Sequence, residues 1–309
     1  MNPMVSVVIP LFNKANSIDK CLASVLSQTF TNLEVVVVDD GSTDHSAHLV
    51  EKGQDARVKL IRQKNGGVSA ARNRGILSSK GEYVAFLDAD DYWHPQHLQT
   101  LLDLVEKYQN VSTFFTHYHF LQKTETPAVW AALPETEDGL VLNYFESVLK
   151  GDQLATSSGV MVKKRAFDAT GLFKEGEQTY EDQSMWARLS FLGMAYSKKT
   201  TYIYNRNHSA LSAYSARSSP PAFVNELMGY LNNANLRPDQ KWFIKLFVKS
   251  IYIGTASENL LKGKRWWFLK FYVKGIDSYF TKRLLFWGLM FCLPLNMPAL
   301  VYAKWVAKP

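Results

Sequence analysis

The sequence predicts an α/β fold with a mostly parallel central sheet flanked by helices, followed by a helical carboxyl-terminal appendage. Two observations predict the sheet. Apolar runs alternate with helical patterns over the first hundred residues, and the apolar runs are hydrophobic on both faces, as buried parallel strands are. A third observation predicts the appendage, because residues 241–309 are basic and rich in aromatic side chains.

The elements of the first half follow one another in a regular order. Strands are predicted at 5–9, 33–38, 58–61 and 83–87, and helices at 18–26, roughly 43–53, and 68–79. Asn16 or Ser17 is a plausible cap for the first helix, and Pro95 suits the first turn of a fourth. Such alternation is typical of parallel strands that are joined by right-handed crossovers.

The second half is less regular. A strand is predicted at 157–162, a helix at 181–193, a short strand at 202–204, a mobile loop at 124–140, and a linker at 212–221. We therefore expect a first domain over residues 1–215, with halves at 1–110 and 111–215, and a basic aromatic helical region over 216–309.

Charge is distributed very unevenly. The net charge is +7, but residues 241–309 hold 12 Lys and Arg against Glu258 and Asp277, a balance of +10, so the first 240 residues carry 7 − 10 = −3. The two cysteines, Cys21 and Cys292, form no disulfide framework and have no metal-ligand spacing, which predicts a reducing compartment. The first residues lack a signal-peptide layout, so we expect the first domain to stay in the cytoplasm.

Four polar loops follow the predicted strands, at 10–13, 39–44, 65–67 and 88–91. Ligands of parallel sheets bind beyond the carboxyl ends of the strands, so these loops predict one site. Residues 88–91, which we call the acidic loop, place three carboxylates in four positions after a fully apolar strand. Those charges repel unless a cation lies among them, and a divalent metal that carries a phosphorylated ligand is the natural candidate.

Each motif also has a structural interpretation. Asp39 and Asp40 can form a turn and cap a helix, or accept hydrogen bonds from a nucleobase or ribose. The glycines at 66 and 67 can serve a turn, or bring backbone N–H groups to a ligand with Arg72 and Arg74 balancing phosphate charge. Neither a Gly-x-Gly-x-x-Gly fingerprint nor a Gly-Lys-Ser/Thr loop is present, so a Rossmann dinucleotide site and a P-loop are unsupported.

Two later groups are equally ambiguous when taken alone. Glu181 and Asp182 can complement a helix dipole, or supply a general base. His208 can be a polar loop residue, a metal ligand or a diphosphate contact. Within the acidic loop, Asp91 is predicted to cap the helix that is entered at Pro95 rather than to be a third metal ligand.

Taken together, the motifs resemble those of family 2 glycosyltransferases, which are inverting enzymes with the GT-A fold. The resemblance spans roughly residues 4–210, with the motifs in order and at the proper spacing. They read Pro10-x-Phe12-Asn13-Lys14, Ser27-Gln28-Thr29, Asp39-Asp40-Gly41-Ser42-Thr43-Asp44, Asn65-x-Gly67-x-Ser69-x-Ala71-Arg72-Asn73-x-Gly75, Gly81-Glu82-Tyr83, Leu87-Asp88-Ala89-Asp90-Asp91 and Glu181-Asp182.

The resemblance implies a role for each matching residue. Pro10, Phe12 and Asp40 would border the uracil or other base, Asp39 would support that pocket, and Arg72 would lie near the nucleotide. Asp88 would contact the ribose or the metal, Asp90 would be the principal ligand of Mn²⁺ or Mg²⁺, and His208 would contact the metal or the diphosphate. Asp182 would be the catalytic base, and Ser157, Ser158, Gly159 and Glu181 would line the sugar or acceptor pocket.

One departure from the family pattern bears on the product. Polymerising members carry Gln-x-x-Arg-Trp after the Glu-Asp element, whereas Gln183 here begins Gln-Ser-Met-Trp-Ala-Arg. This departure argues against processive polymer synthesis. The resemblance as a whole implies a Rossmann-like nucleotide-binding half and an acceptor-binding half.

The basic aromatic tail predicts a membrane surface as a partner. Lysines recur around aromatic residues near 241–251 and 262–274, a pattern that suits an anionic interface better than nucleic acid beside an acidic first domain. Residues 284–303 contain no charge but are interrupted by Pro294 and Pro298. We expect peripheral or monotopic attachment at the cytoplasmic face, with a true span or a helical cap on the first domain as alternatives.

Three functions remain open at this stage. The leading one is a metal-dependent transferase that moves a sugar from a nucleotide sugar, UDP-sugar first, to a glycan or lipid-linked acceptor of the cell envelope. The alternatives are a sugar-nucleotide nucleotidyltransferase, which lacks support from an early Gly-rich basic loop, and a non-catalytic nucleotide-sugar-binding protein.

Overall fold

The computed structural model describes residues 3–122, 124–128, 130, 133–151, 154–177, 180–205, 223–232 and 236–276. The chain divides into two compact units, Met1–Ser209 and Ala210–Pro309. The predicted boundary at residue 215 and the predicted linker at 212–221 lie outside the described residues.

The first half of unit 1 has the predicted alternation of strands and helices. Its elements are β1 (Val5–Leu11), α1 (Ile18–Leu26), β2 (Leu33–Asp39), α2 (Ser46–Lys52), β3 (Val58–Arg62), α3 (Val68–Ser78) and β4 (Tyr83–Phe86). The apolar positions of α1 face the sheet because Ile18, Cys21, Leu22 and Val25 recur at helical spacing, and all four are buried.

The second half of unit 1 has more strands than the sequence predicted. Its elements are β5 (Tyr92–Trp93), α4 (His97–Lys107), β6 (Thr113–Leu121), β7 (Glu125–Pro127), β8 (Asp138–Leu140), α5 (Tyr144–Leu149), β9 (Val160–Lys163), α6 (Ala166–Thr170), α7 (Glu181–Leu189) and β10 (Met194–Asn205). Residues 157–159, predicted as strand, form a 3₁₀ turn before β9. The predicted short strand at 202–204 is the end of the twelve-residue β10, and β7 and β8 lie inside the predicted mobile loop.

All ten strands join one sheet. The main order is β3-β2-β1-β4-β9-β6-β10-β5, with β7 on β6 and β8 on β10. The pairs among β3, β2, β1 and β4 are parallel, as is β6 with β10, whereas β9 is antiparallel to both of its neighbours. The α/β fold with a mostly parallel mixed sheet is therefore confirmed, and β1, β2, β4, β6 and β10 end at the same edge.

Close packing fixes the helices on this sheet. Val7, Val8 and Ile9 of β1 are fully buried, and α3 crosses over them. A Cβ atom on Gly75 of α3 would lie 2.3 Å from Cγ1 of Val8, so this position requires glycine for the close approach of helix and strand. On β4, the ring of Phe86 packs edge-on against Phe167 and Phe173.

Unit 2 is helical in its described parts. It contains α8 (Phe223–Tyr230), α9 (Pro238–Leu261) and α10 (Arg265–Gly275), and α10 packs along α9. None of the helices in the described ranges combines the length and the apolarity that crossing a bilayer requires. Residues 284–303, the candidate for a true span, lie outside those ranges.

Candidate functional site

The acidic loop begins directly after β4, and its last carboxylate is internal. Asp91 is buried, where its carboxylate accepts hydrogen bonds from Ser158 Oγ at 2.5 Å and from the backbone N of Asn205 at 2.7 Å. Burial, together with the charges of Asp88 and Asp90, raises the pKa of Asp91 well above its ordinary value. The prediction that Asp91 caps a helix is wrong, because α4 begins at His97 and Asp91 instead joins the loop to β10 and to the turn before β9.

The other two carboxylates of the loop each face a cation. Arg72 Nη2 of α3 lies 2.8 Å from Asp88 Oδ1, and Lys14 Nζ lies 2.5 Å from Asp90 Oδ2. Repulsion among the three acids is therefore offset by two basic side chains from separate elements and by the burial of Asp91. Sequence reasoning missed the pairing of Lys14, although its position in the loop after β1 placed it at this edge.

Hydrogen bonds between two loops hold Lys14 in place. Asn13 has a φ of +52° and its side-chain oxygen accepts from the backbone N of Thr43 at 2.8 Å, while Ser46 Oγ accepts from the backbone N of Lys14 at 2.7 Å. Phe12, one residue earlier, is 45% exposed at the same edge, beside the partly buried Pro10. An exposed aromatic ring here can stack against a planar ligand.

Asp39 and Asp40 both bind backbone in the adjacent loops. Asp39 Oδ1 accepts from the N–H of Ser42 at 3.0 Å, which closes the turn after β2. Asp40 Oδ1 accepts from Gln63 Nε2 at 2.8 Å and from Gly66 N at 2.9 Å, and its Oδ2 accepts from Gly67 N at 2.8 Å. Asp40 is buried, so the contribution that the structure shows is closure of the loop at 63–67 over the end of β2.

Arg72 links the acidic loop to the start of α7. Its guanidinium is buried beside the ring of Phe173, with Nη2 on Asp88 and Nη1 3.4 Å from Glu181 Oε1. Burial lowers the pKa of Arg72, but the charges of Asp88, Glu181 and Asp182 outweigh it and hold that pKa above its ordinary value. Arg72 Nε is buried without a hydrogen-bond partner among the described residues, so the group retains a donor.

Asp182 lies in the first turn of α7, and its pKa is shifted towards neutrality. Burial and the charge of Glu181 raise the pKa of Asp182 to about 7, against the opposing charge of Arg72 and a hydrogen bond from Gln183 N at 2.7 Å. Tyr180, just before the helix, has a φ of +67°, which is strained for a bulky side chain. A carboxyl group that titrates near neutrality on a strained helix entrance is typical of a general base.

Tyr144 of α5 lies close enough to Asp182 for their charges to interact, and no sequence motif indicated it. The pKa of the buried Tyr144 hydroxyl is raised by burial and by the charge of Asp182. This interaction shows that α5 and α7 lie close to each other at Tyr144 and Asp182. Only the fold joins these helices, which are nearly forty residues apart in the sequence.

The turn at Ser157, Ser158 and Gly159 lies beneath the acidic loop. Ser158 Oγ accepts from the backbone N of Asp88 at 3.1 Å, and the carbonyl of Ser158 accepts from Trp93 Nε1 at 2.6 Å. All three residues of the turn are buried, and they support the loop from below. His208, the remaining predicted ligand, lies outside the described residues.

The carboxylates at this edge suit a metal ion that is held partly by the phosphates of a bound substrate. Among the described residues, no three His, Cys, Asp or Glu side chains converge as a protein cage for a metal. Asp88 and Asp90 offer hard oxygen donors, and Mg²⁺ commonly uses one or two carboxylates with substrate phosphates as the other ligands. Lys14 and Arg72 stand next to these donors, and both can pair with phosphate oxygens.

A protein-family model matches the part of the chain that holds Lys14, Arg72 and the acidic loop. The model described as Glycosyl transferase family 2 matches residues 6–162, just over half of the chain. Among curated relatives, "Glycosyltransferase GlyA" of Streptococcus pneumoniae is 31% identical over 224 residues, or 67% of this chain and 31% of that protein. "Uncharacterized glycosyltransferase RP339" of Rickettsia prowazekii is 24% identical over 91% of this chain and 88% of its own length. The first relatives are matched over only about a third of their own length.

Solved structures share the fold over nearly the whole chain. S. aureus TarS 1–349, solved in complex with UDP-GlcNAc, has a TM-score of 0.67 at 19% identity, covering 92% of this chain and 90% of that chain. The mannosyltransferase PcManGT from Pyrobaculum calidifontis, solved with GDP-Man and Mn²⁺, has a TM-score of 0.58 at 17% identity, covering 100% and 89%. The predicted GT-A-type fold is thereby confirmed.

Proposed function

Because the chain belongs to glycosyl transferase family 2 and is a glycosyltransferase, we propose that it transfers a sugar, with inversion, from a nucleoside diphosphate sugar to an acceptor hydroxyl. One observation carries this proposal. Asp182, with a pKa of about 7, stands at the end of a charge network that runs through Arg72 to the acidic loop. That arrangement supports the proposal of a base next to a diphosphate site.

The donor would lie across the ends of β1, β2 and β4. Phe12 and Pro10 would border the base, with Asp39 and Asp40 holding the loops around it, and Arg72 and Asp88 would lie near the ribose and diphosphate. We favour a UDP-sugar as donor. TarS, solved with UDP-GlcNAc, supports this choice, and PcManGT, solved with GDP-Man, shows that the same fold also takes a guanine nucleotide.

Asp88 and Asp90 would hold Mn²⁺ or Mg²⁺ together with the diphosphate, with His208 as a further contact. Such an ion, when bound, neutralises the charge that develops on the leaving diphosphate. The chain adds its own cations to that task, since Lys14 Nζ is already within 2.5 Å of Asp90 and Arg72 Nη2 within 2.8 Å of Asp88. We propose that both ammonium and guanidinium groups contact phosphate oxygens when the donor is bound.

Asp182 would remove the proton from the acceptor hydroxyl as the hydroxyl oxygen attacks the anomeric carbon. The bond to the diphosphate oxygen breaks on the opposite face in the same displacement, so the configuration inverts without a covalent sugar–enzyme intermediate. A positioned base of this kind contributes about 10²–10⁴-fold to the rate. Glu181, held by Arg72, and the turn at 157–159 would shape the sugar and acceptor side of the site.

The acceptor would be a glycan or a lipid-linked glycan of the cell envelope, met at the cytoplasmic face of the membrane by peripheral or monotopic attachment. The basic aromatic composition of residues 241–309 supports this location. Family membership argues against the alternative of a sugar-nucleotide nucleotidyltransferase and against a non-catalytic binding protein.

Calorimetric titration with UDP tests the donor and metal assignments together. The wild-type protein should bind UDP more tightly with Mn²⁺ than without it, and Asp90→Ala should abolish that difference. Glu51→Ala, which removes an exposed carboxylate paired with Arg62 on the surface, is the matched control and should leave both affinities unchanged. Equal UDP affinity of the wild-type protein with and without Mn²⁺ would refute the metal assignment.

A further inference from the structure

The outer face of α10 is apolar. On its inner side Phe268 and Phe271 are buried, and Gly275 is so close to α9 that a Cβ atom there would lie 2.6 Å from Cγ1 of Ile253. A helix advances about 100° per residue, so the opposite side carries the positions at spacings of three and four. These are Trp266, Leu269 and Val273, followed by Ile276 directly after the helix end, and they are 73%, 39%, 64% and 53% exposed. We call these four residues the outer stripe.

Lysines border the outer stripe. Lys270 and Lys274 are exposed and project from the next positions around α10, where the Lys270 ammonium lies 4.4 Å from the centroid of the Trp267 ring. Lys262 and Lys264 precede the helix and are exposed as well. The sequence of α10 contains no Asp or Glu, so every charge that the helix carries is positive.

We propose that the outer stripe and its lysines dock α10 onto an anionic phospholipid surface, with the helix lying in the plane of the interface. Trp and aliphatic side chains on one face, next to lysines, suit the boundary between headgroups and acyl chains. Contiguous exposed apolar side chains on a helix are typical of an interaction site. The charge of +10 over residues 241–309 complements an anionic headgroup layer.

Other occupants fit these observations less well. A nucleic acid backbone binds to cations, whereas the centre of this face carries four apolar side chains. A second copy of the chain would bring Lys270 and Lys274 of both copies to the same interface, where like charges repel. The lipid surface is the occupant that satisfies both the apolar stripe and the positive border.

This inference deepens the proposed function, because it names the surface on which a lipid-linked acceptor would be met. It depends on that function only for the acceptor, since binding of the helix to lipid requires no sugar transfer. Failure of one is therefore distinguishable from failure of the other.

Co-sedimentation of the full chain with vesicles tests the proposal. One set of vesicles is pure phosphatidylcholine and the other contains phosphatidylglycerol. We expect binding to the anionic set that weakens with salt.

Val273→Asp should reduce the partition coefficient by about tenfold or more, because it places a charge in the apolar stripe. Trp266→Ser is a second variant with the same expected direction. The double change Lys270→Glu and Lys274→Glu should weaken binding to anionic vesicles selectively.

Leu142→Asp is the matched control, since Leu142 is 76% exposed in unit 1 and should not affect lipid binding. Hydrolysis of UDP-sugar in lipid-free solution should be the same for all these variants and the wild-type protein. The proposal would be overturned if Val273→Asp and Trp266→Ser both bound lipid as strongly as Leu142→Asp. Residues 277–309 or another segment would then carry the contact. Equal binding to both kinds of vesicle, or a wild-type dimer that Val273→Asp dissociates without lipid, would also overturn it.

Discussion

Asp182 has a pKa that the fold moves close to neutrality. The fold raises the pKa of this carboxyl from 3.8 to about 7, first by burial and then through the charge of Glu181, with Arg72 opposing. Between those two pH values the folded protein holds a proton that the unfolded chain has released. The free energy of unfolding contributed by this group is therefore present in full below pH 3.8 and is lost as the pH rises through about 7.

Asp182→Asn should reveal this linkage as a change in stability. The amide cannot ionise, so the variant should melt like the wild-type protein near pH 4 and at a higher temperature above pH 7. We expect a gain on the order of 1–3 kcal/mol at alkaline pH, discounted for the charge of Arg72 and for solvent screening. Melting curves from pH 4 to 8.5 give the measurement. Asp103→Asn on the exposed side of α4 is the control, and a pH-independent difference for Asp182→Asn would contradict the shifted pKa.

Lys14 presents a second testable contact at the scale of a residue. Its ammonium lies on Asp90, where a divalent cation would also bind, so the two cations compete for one carboxylate. Lys14→Met should raise the affinity for Mn²⁺ alone and lower the affinity for UDP in the presence of Mn²⁺. Calorimetry measures both.

The opposite signs of these two effects separate competition from a general loss of structure. Lys107→Met is the control, because the exposed Lys107 at the end of α4 faces Asp138 of β8 and not the acidic loop. A parallel fall in both affinities of Lys14→Met would contradict competition at Asp90.

At the scale of elements, the site depends on how the turn at 157–159 supports the acidic loop. Ser158 bonds both Asp88 N and the Asp91 carboxylate, and Trp93 of β5 bonds the Ser158 carbonyl. A turn some seventy residues later in the sequence, together with the neighbouring β5, thereby fixes the loop that follows β4. The shape of the acidic loop is a property of β5, β9 and β10 as much as of its own four residues.

Gly159→Ala tests this arrangement. A Cβ atom there would lie 2.2 Å from Cε1 of Tyr202, a buried side chain that cannot move away. We expect a loss of about 1–3 kcal/mol in the free energy of unfolding, as is usual for overpacking. Gly229→Ala in α8, where a Cβ atom meets nothing within 4 Å, should be neutral or slightly stabilising. Chemical denaturation of both variants decides the matter, and equal stabilities would refute the packing argument.

At the scale of the molecule, local pattern predicted the first half of unit 1 well. β1, β2 and β4 are apolar runs of almost entirely buried side chains, and α1 has one apolar face, so period and burial agree there. β3 at the end of the sheet is only partly buried, and α3 buries small and polar residues instead of an apolar face. The second half was harder, because β6 and β8 depend on pairing with β10, and β7 on pairing with β6, rather than on their own pattern. The twelve residues of β10 mix lysines and threonines with aromatic residues, which hides a strand from local reasoning.

Some features of the site could likewise be predicted from the sequence pattern, whereas others are visible only in the fold. The polar loops after β1, β2 and β4 converge because they end parallel strands, a rule that applies to sequence alone. The partners of the acids come from long-range contacts, as in Lys14 with Asp90, Tyr144 near Asp182, and Ser158 with Asp91. The misassigned cap at Asp91 has the same origin, since its true partner is more than sixty residues away.

The central claim is that Asp182 is the base of a sugar transfer whose donor is held by the acidic loop. The most direct test measures the turnover number of Asp182→Asn at saturating UDP-sugar and Mn²⁺, with UDP affinity measured on the same sample. We expect turnover to fall by about 10²–10⁴-fold while the dissociation constant for UDP stays within about twofold. Turnover close to that of the wild-type protein would contradict the claim.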